Sequence, residues 1–190
     1  MKARTLGRFF GVVLALCAVT SWAASYTDTV NLFKNAGESA SFFKKSYGYA
    51  VFPTIGKGGL VVGGAHGKGH VYAHGAYVGD TSMTQVSIGF QAGGQAYSQI
   101  IFFEDQRAFE EFTKGNFEFG ADVNAVAITA AAGGSVGTTG ASGNASGGKK
   151  DAKTEGSYYK GLAVFTIVKG GAMYQATVAG QKFNYTPKAS

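Results

Sequence analysis

The pattern that most restricts this chain is a two-residue alternation of apolar with polar or glycine positions, in short runs punctuated by glycine. Thr84, Val86, Ile88 and Phe90 alternate with Gln85, Ser87, Gly89 and Gln91. Successive side chains on a strand point to opposite faces, so such a run has one apolar face and one polar or bare face. Phe117, Phe119, Ala121 and Val123 alternate with Glu118, Gly120, Asp122 and Asn124 in the same way. Further strands are expected over residues 49–54, 59–65, 70–78, 97–103, 161–168, 172–178 and 181–185, mostly separated by glycine-rich turns. Glycine accounts for 30 of 190 residues without the period of collagen, which implies tight turns or close backbone approaches. With 15 Phe and 10 Tyr the chain has apolar area for a real core. The expected class is α+β, predominantly antiparallel β: a curled sheet or small barrel with an N-terminal helix and a second short helix.

Ser25 and Asp28 have capping-box spacing, and Val30, Phe33, Gly37 and Ala40 follow at helical intervals towards Phe43, which predicts a helix over 27–45. Asp105 can cap a second helix over 105–114. Its stripe is Ala108, Phe109 and Phe112, with Arg107/Glu111 and Glu110/Lys114 at i,i+4 and Gly115 as the stop.

Lys2, Arg4 and Arg8 precede an apolar run from Phe9 to Val19, followed by Ser21-Trp22-Ala23. This has the form of a signal peptide over residues 1–23, and the run falls short of the roughly 20 residues a membrane-spanning helix needs. The expectation is an exported chain of the periplasm or cell envelope, with residues 24–190 as one domain. Cleavage there removes three basic residues and no acidic one, so a formal +6 becomes 6 − 3 = +3. Cys17, the only cysteine, goes with the leader, which leaves no disulfide or thiolate site. Leu14-Ala15-Leu16-Cys17 resembles a lipobox, although Leu16 stands where a small residue belongs; cleavage at Cys17 would give a lipid-anchored protein.

From 130 to 148 every residue except Val136 and Asn144 is Ala, Gly, Ser or Thr. Such a stretch buries too little apolar surface to offset its ordering entropy, so a mobile loop is expected over about 132–156. A weak repeat flanks it. Gly48-Tyr49-Ala50-Val51-Phe52 with Lys57-Gly58-Gly59 can be laid on Gly161-Leu162-Ala163-Val164-Phe165 with Lys169-Gly170-Gly171. If the copies are equivalent parts of one sheet, Lys57 and Lys169 emerge at corresponding turns; otherwise similar hairpins merely reuse similar turn chemistry.

The familiar catalytic patterns are missing. Gly56-Lys57-Gly58-Gly59 lacks the spacing of a P-loop, Ser41-x-x-Lys44 lacks the companion motifs of penicillin-recognising enzymes, and Glu104, Asp105, Glu110 and Glu111 are explained by helix capping and solvation. No catalytic residue and no cofactor are assigned. His66, His70 and His74 recur every four residues, but no carboxylate or thiolate has a matching spacing, so no metal is assigned. With Lys68 they can instead present cations to an anionic headgroup, more strongly when protonated. A +3 balance without a dense basic stripe argues against nucleic acid. An eight-stranded outer-membrane barrel fits the length but neither the helix signals nor the Pro187-Lys188-Ala189-Ser190 end.

The segment from Tyr47 to Gly59, the Gly63–Gly69 turn, Ser87 to Gln95, Phe117 to Ala121, and Gly161 to Phe165 with Lys169-Gly170-Gly171 together resemble the SYLF domain family, in order over about residues 40–186. For eukaryotic relatives the resemblance implies a phosphoinositide-binding, actin-associated module with a basic amphipathic N-terminal segment. An exported bacterial chain meets neither phosphoinositides nor actin in its own compartment, so an actin-type partner rests on resemblance alone and only anionic-phospholipid binding is carried over. The expected headgroup residues are Lys57, Lys68, Lys169, His66 and His70. The expected membrane-contact residues are Lys34, Phe42, Phe43, Lys44 and Lys45, in a segment whose basic character Asp28 and Glu38 dilute. The alternative is a structural or protein-interaction envelope component acting through its glycine-rich sheet and long loop.

Overall fold

The Ser25 side chain accepts from the Asp28 N–H at 3.0 Å and opens α1 (Tyr26–Asn35), as the capping box predicts. The expected single helix over 27–45 is instead three short ones: α1, α2 (Gly37–Ala40) and α3 (Phe42–Lys45). Ala36 breaks the run with an extended ψ of 105°, and the buried Ser39 hydroxyl is shared between the carbonyls of Phe33 at 2.6 Å and Ala36 at 3.1 Å, which also accept the N–H groups of Ala36 and Ala40. The bend lets Phe33 and Phe42 enter the same core.

This computed structural model describes residues 25–59, 62–88, 95–120, 122–123, 125–130, 136–138, 158–170 and 178–189. The expected leader with Cys17 and the 172–177 part of an expected strand lie outside them. The strands are β1 (Gly48–Gly59), β2 (Val62–Ala73), β3 (Ala76–Ile88), β4 (Gln95–Phe103), β5 (Phe117–Glu118), β6 (Ala125–Ala130), β7 (Val136–Thr138), β8 (Leu162–Gly170) and β9 (Gln181–Pro187). They form one strongly curled half-barrel sheet in the order β5-β9-β3-β2-β1-β4-β8-β6-β7. Every pair is antiparallel except β6 with β8. Asp105 caps α4 (Gln106–Thr113) through the Ala108 N–H at 2.8 Å. The architecture is α+β, as expected.

Several boundaries differ from the sequence reading. Lys57-Gly58-Gly59 is the end of β1, and His66-Gly67-Lys68-Gly69 is the middle of β2; neither is a turn. The run expected over 70–78 is instead broken at His74 and Gly75, whose positive φ values of 48° and 81° make the tight β2–β3 hairpin. Within the loop expected over 132–156, Val136–Thr138 is described, and it pairs with β6. Of the run expected over 117–124, Phe117 and Glu118 pair with β9 as β5 and the Phe119 N–H donates to the Gln181 carbonyl at 3.0 Å, while residues 121 and 124 lie outside the described residues.

The sheet carries a core on each face. On the α4 face Phe52, Ile55, Met83, Ile101 and Phe103 pack with Ala108 and Phe112 of α4. On the α1 face Val51, Ile100, Phe102 and Phe165 pack under Val30, Phe33 and Phe42. The α4-face core also seals in a polar cluster. Gln99 donates to Gln181 at 2.8 Å, Gln181 donates to Tyr97 at 3.1 Å, and burial pushes the Tyr97 phenol up to about 12.

Candidate functional site

Two β-bulges decide which side chains share the α1 face. Val51 pairs with His70 but Thr54 with Lys68, so β1 carries one extra residue at Phe52-Pro53. A bulge reverses the inside–outside alternation beyond it. Thr54, Gly56 and Gly58 therefore lie on the α1 face, opposite Lys68, His66 and Gly64 of β2. Across β3 the same face continues through Ser82, Thr84 and Val86, and into β9 through Asn184 and Lys182. The helices α1–α3 cover the other half of this face, whereas Thr54, Gly56, Gly58, Gly64, His66, Lys68, Thr84 and Val86 are exposed. The result is an open, glycine-floored patch. A Cβ on Gly56 or Gly58 would meet nothing within 4 Å, so packing does not account for those two glycines.

Lys169 joins this patch from β8. It is the extra residue where Tyr97 pairs with Val168 and Ala96 with Gly170, and its Nζ donates to Thr54 Oγ1 at 3.3 Å. Partial burial lowers its pKa below the ordinary lysine value. Carboxylates near the patch are engaged: Glu118 with Lys182 at 3.5 Å, and Asp80 with His70 at 3.3 Å and the Tyr77 hydroxyl at 2.9 Å.

Of the five expected headgroup residues the structure thus brings His66, Lys68, His70 and Lys169 to one face. Lys57 is not with them. It pairs with the buried Ala65, points to the α4 face, and has its pKa lowered by burial. The two repeat copies do flank β4, one residue out of register, since Tyr49 pairs with Phe102 and its counterpart Leu162 with Phe103, and their lysines leave from opposite faces. Of the expected membrane-contact residues, Lys34, Lys44 and Lys45 are exposed and Phe43 is half-buried against Tyr49 and Phe102. Phe42 is a correction. It is 5% exposed and packs on Phe102, Tyr158 and Phe165, so it serves the core and has no free surface to offer.

The second bulge, in β3 at Val78, creates a cluster that sequence spacing did not reveal. Val71 pairs with Gly79 but Tyr72 with Tyr77, which puts Tyr77 and Asp80 on the same face although they are three residues apart. Tyr26, the first residue of α1, lies flat on the His70 ring, with centroids 3.4 Å apart and planes within 6°. His70 also faces Tyr77 at 4.8 Å and Tyr72 at 6.4 Å, and Tyr49 stacks on Tyr72 at 4.9 Å. Burial lowers the His70 pKa and outweighs the opposing pull of Asp80. Burial also raises Tyr26 and Tyr72 and pushes Tyr49 up to about 12. The histidines do not converge, since His74 sits in the hairpin against Tyr47 and His66 in the open patch. Among the described residues no group of three or more His, Cys, Asp and Glu is placed to hold a metal, and no helix is long and apolar enough to cross a membrane.

A family model described as Ysc84, Las17-binding protein actin regulator, matches residues 84–188, which run from β3 to just past β9. Beta cell expansion factor A of Aeromonas veronii is 28% identical over 159 residues, covering 83% of this chain and 52% of the relative. The chain therefore spans about half the length of the curated relative it matches.

Proposed function

The chain belongs to the Ysc84 (SYLF) family, and from that premise we propose that it is a non-enzymatic module that attaches to anionic phospholipid surfaces through the open half of its α1 face. The family is not a known enzyme family, and its membership supports a lipid-binding or actin-related domain in general. The observation that carries the reading is the patch itself. Lys68 and Lys169 stand with His66 on an exposed sheet face floored by glycines, while the neighbouring carboxylates Glu118 and Asp80 are paired with Lys182 and His70. A face floored by Gly56, Gly58 and Gly64 lets the flanking cations approach headgroup phosphates closely, and each lysine near an anionic surface is worth about 1 kcal/mol. The contact is peripheral attachment, with the exposed Lys34, Lys44 and Lys45 beside the covered half as secondary cations.

Flotation with phosphatidylglycerol, cardiolipin and neutral phosphatidylcholine vesicles tests the reading. Binding to the two anionic vesicles and release from the neutral one is the expected result; equal or absent binding to all three overturns it and favours a protein partner instead. Export to the envelope is part of the same proposal. It predicts a protein whose mass begins at Ala24 and whose emission comes from tyrosine alone, because Trp22 is the only tryptophan. A diacylglycerol adduct on Cys17 would make it a lipoprotein instead.

A further inference from the structure

We propose that the first turn of α1 is a pH-sensitive latch: Tyr26 clamps a neutral His70 against the sheet, and protonation of that imidazole loosens the turn. The inference concerns a different half of the face from the open patch and holds whatever that patch binds.

Burial of the ring sets the sign. Tyr26 lies parallel on one face of the imidazole at 3.4 Å and excludes water from it, while Tyr77 and Tyr72 crowd the ring from β3 and β2. Desolvation opposes an imidazolium. The charged groups beside this ring cluster are Asp80, Lys68, Lys188 and Asp28, with His66, Lys169 and Lys182 further along the same face in the open patch. Asp80 meets Nε2 at 3.3 Å and favours the cation, but it also accepts the Tyr77 hydroxyl at 2.9 Å. Lys68 lies two residues along β2 on the same side, and Lys188 sits 5.8 Å over the Tyr77 ring; both oppose the cation. Asp28, in the first turn of α1, accepts from the Ser25 hydroxyl at 2.7 Å. The balance agrees with the lowered His70 pKa.

Lifting Tyr26 rehydrates the ring, so protonation and latching are linked and oppose each other. Below the ordinary histidine pKa of about 6.5, the free ring takes up a proton that the latched ring resists. Val30 and Phe33 remain buried in the α1-face core, so the motion is confined to the first turn.

An NMR titration of the full-length protein from pH 8 to 4.5 reads both partners. His70 is expected to titrate below the ordinary histidine value, and the Tyr26 ring protons to lose their ring-current shift with the same midpoint. Tyr26→Ala should move the His70 midpoint up, and Asp80→Asn should move it down. The fold-loss in latching on full protonation equals the ratio of the His70 acid constants with and without Tyr26. His70→Gln should leave the Tyr26 resonances independent of pH while the methyl resonances of Val51 and Ile100 stay at their wild-type positions, showing an intact sheet. Tyr26 resonances that do not move through the His70 titration, that still move in His70→Gln, or a His70 midpoint indifferent to Tyr26→Ala would each overturn the latch.

Discussion

Residue by residue, the glycines divide into two kinds that their sequence context does not separate. Gly69 lies in the middle of β2, where a Cβ would stand 2.7 Å from the Phe52 ring and 2.8 Å from the Val51 carbonyl oxygen. Gly67 likewise faces Ile55, 2.6 Å away. These two are bare because large side chains of β1 lie over them, whereas Gly56 and Gly58 have open space above. Gly69→Ala is therefore expected to destabilise the fold by about 1–3 kcal/mol, the usual cost of overpacking. Gly56→Ala should stay within about 0.5 kcal/mol, as surface changes do. Urea unfolding with unchanged m-values distinguishes the two. The same division explains why His66-Gly67-Lys68-Gly69 reads as a turn in sequence: glycine signals a turn and a close strand crossing equally, and only the partner side chain decides between them.

Among the elements, the parts dictated locally were the legible ones. Ser25 and Asp105 cap the helices they were expected to cap, Gly115 with φ of 87° follows α4, and Arg107 meets Glu111 at 3.6 Å. The misreadings come from single residues acting through tertiary structure. The buried Ala36 interrupts a run whose helical spacing is continuous. Parity puts Lys57 with Val51, and the one-residue bulge between them sends it to the other face; the Val78 bulge conversely unites Tyr77 with Asp80. The bulge at Pro53 is supported from β4, where the buried Ser98 hydroxyl donates to the Pro53 carbonyl at 2.7 Å. A long-range tie of another kind holds the start of β8. Asp122 accepts from the Tyr159 hydroxyl at 2.6 Å and from Lys160 Nζ at 2.7 Å, and these bonds hold its carboxyl down to about 2. A depressed carboxyl stabilises the fold above its ordinary pKa, and that contribution is lost as pH falls towards 2. The stability difference between the wild type and Asp122→Asn should therefore shrink between pH 5 and pH 2, as urea unfolding across that range will show.

For the molecule as a whole, charge placement matters more than charge total. Without residues 1–23 the formal surplus is only +3, too small to drive strong association by itself. At about 0.1 M salt the screening length is about 10 Å, so cations on opposite faces of a sheet act on a surface unequally. Two double substitutions separate placement from total. Lys68→Glu with Lys169→Glu alters the open patch, while Lys57→Glu with Lys114→Glu alters the α4 face and the end of α4. Each pair changes the formal charge by −4, since each Lys→Glu replacement contributes −2. With about 1 kcal/mol for each lysine at an anionic surface, loss of the first pair should weaken partitioning onto phosphatidylglycerol vesicles by at least about 30-fold. Loss of the second should weaken it by less than about 3-fold, because those ammonium groups face away from a bilayer held against the α1 face. Sedimentation with vesicles at 0.1 M and 0.5 M salt gives both ratios. Equal losses at low salt would mean that net charge alone attracts the protein, and the open face would then have no special part in attachment.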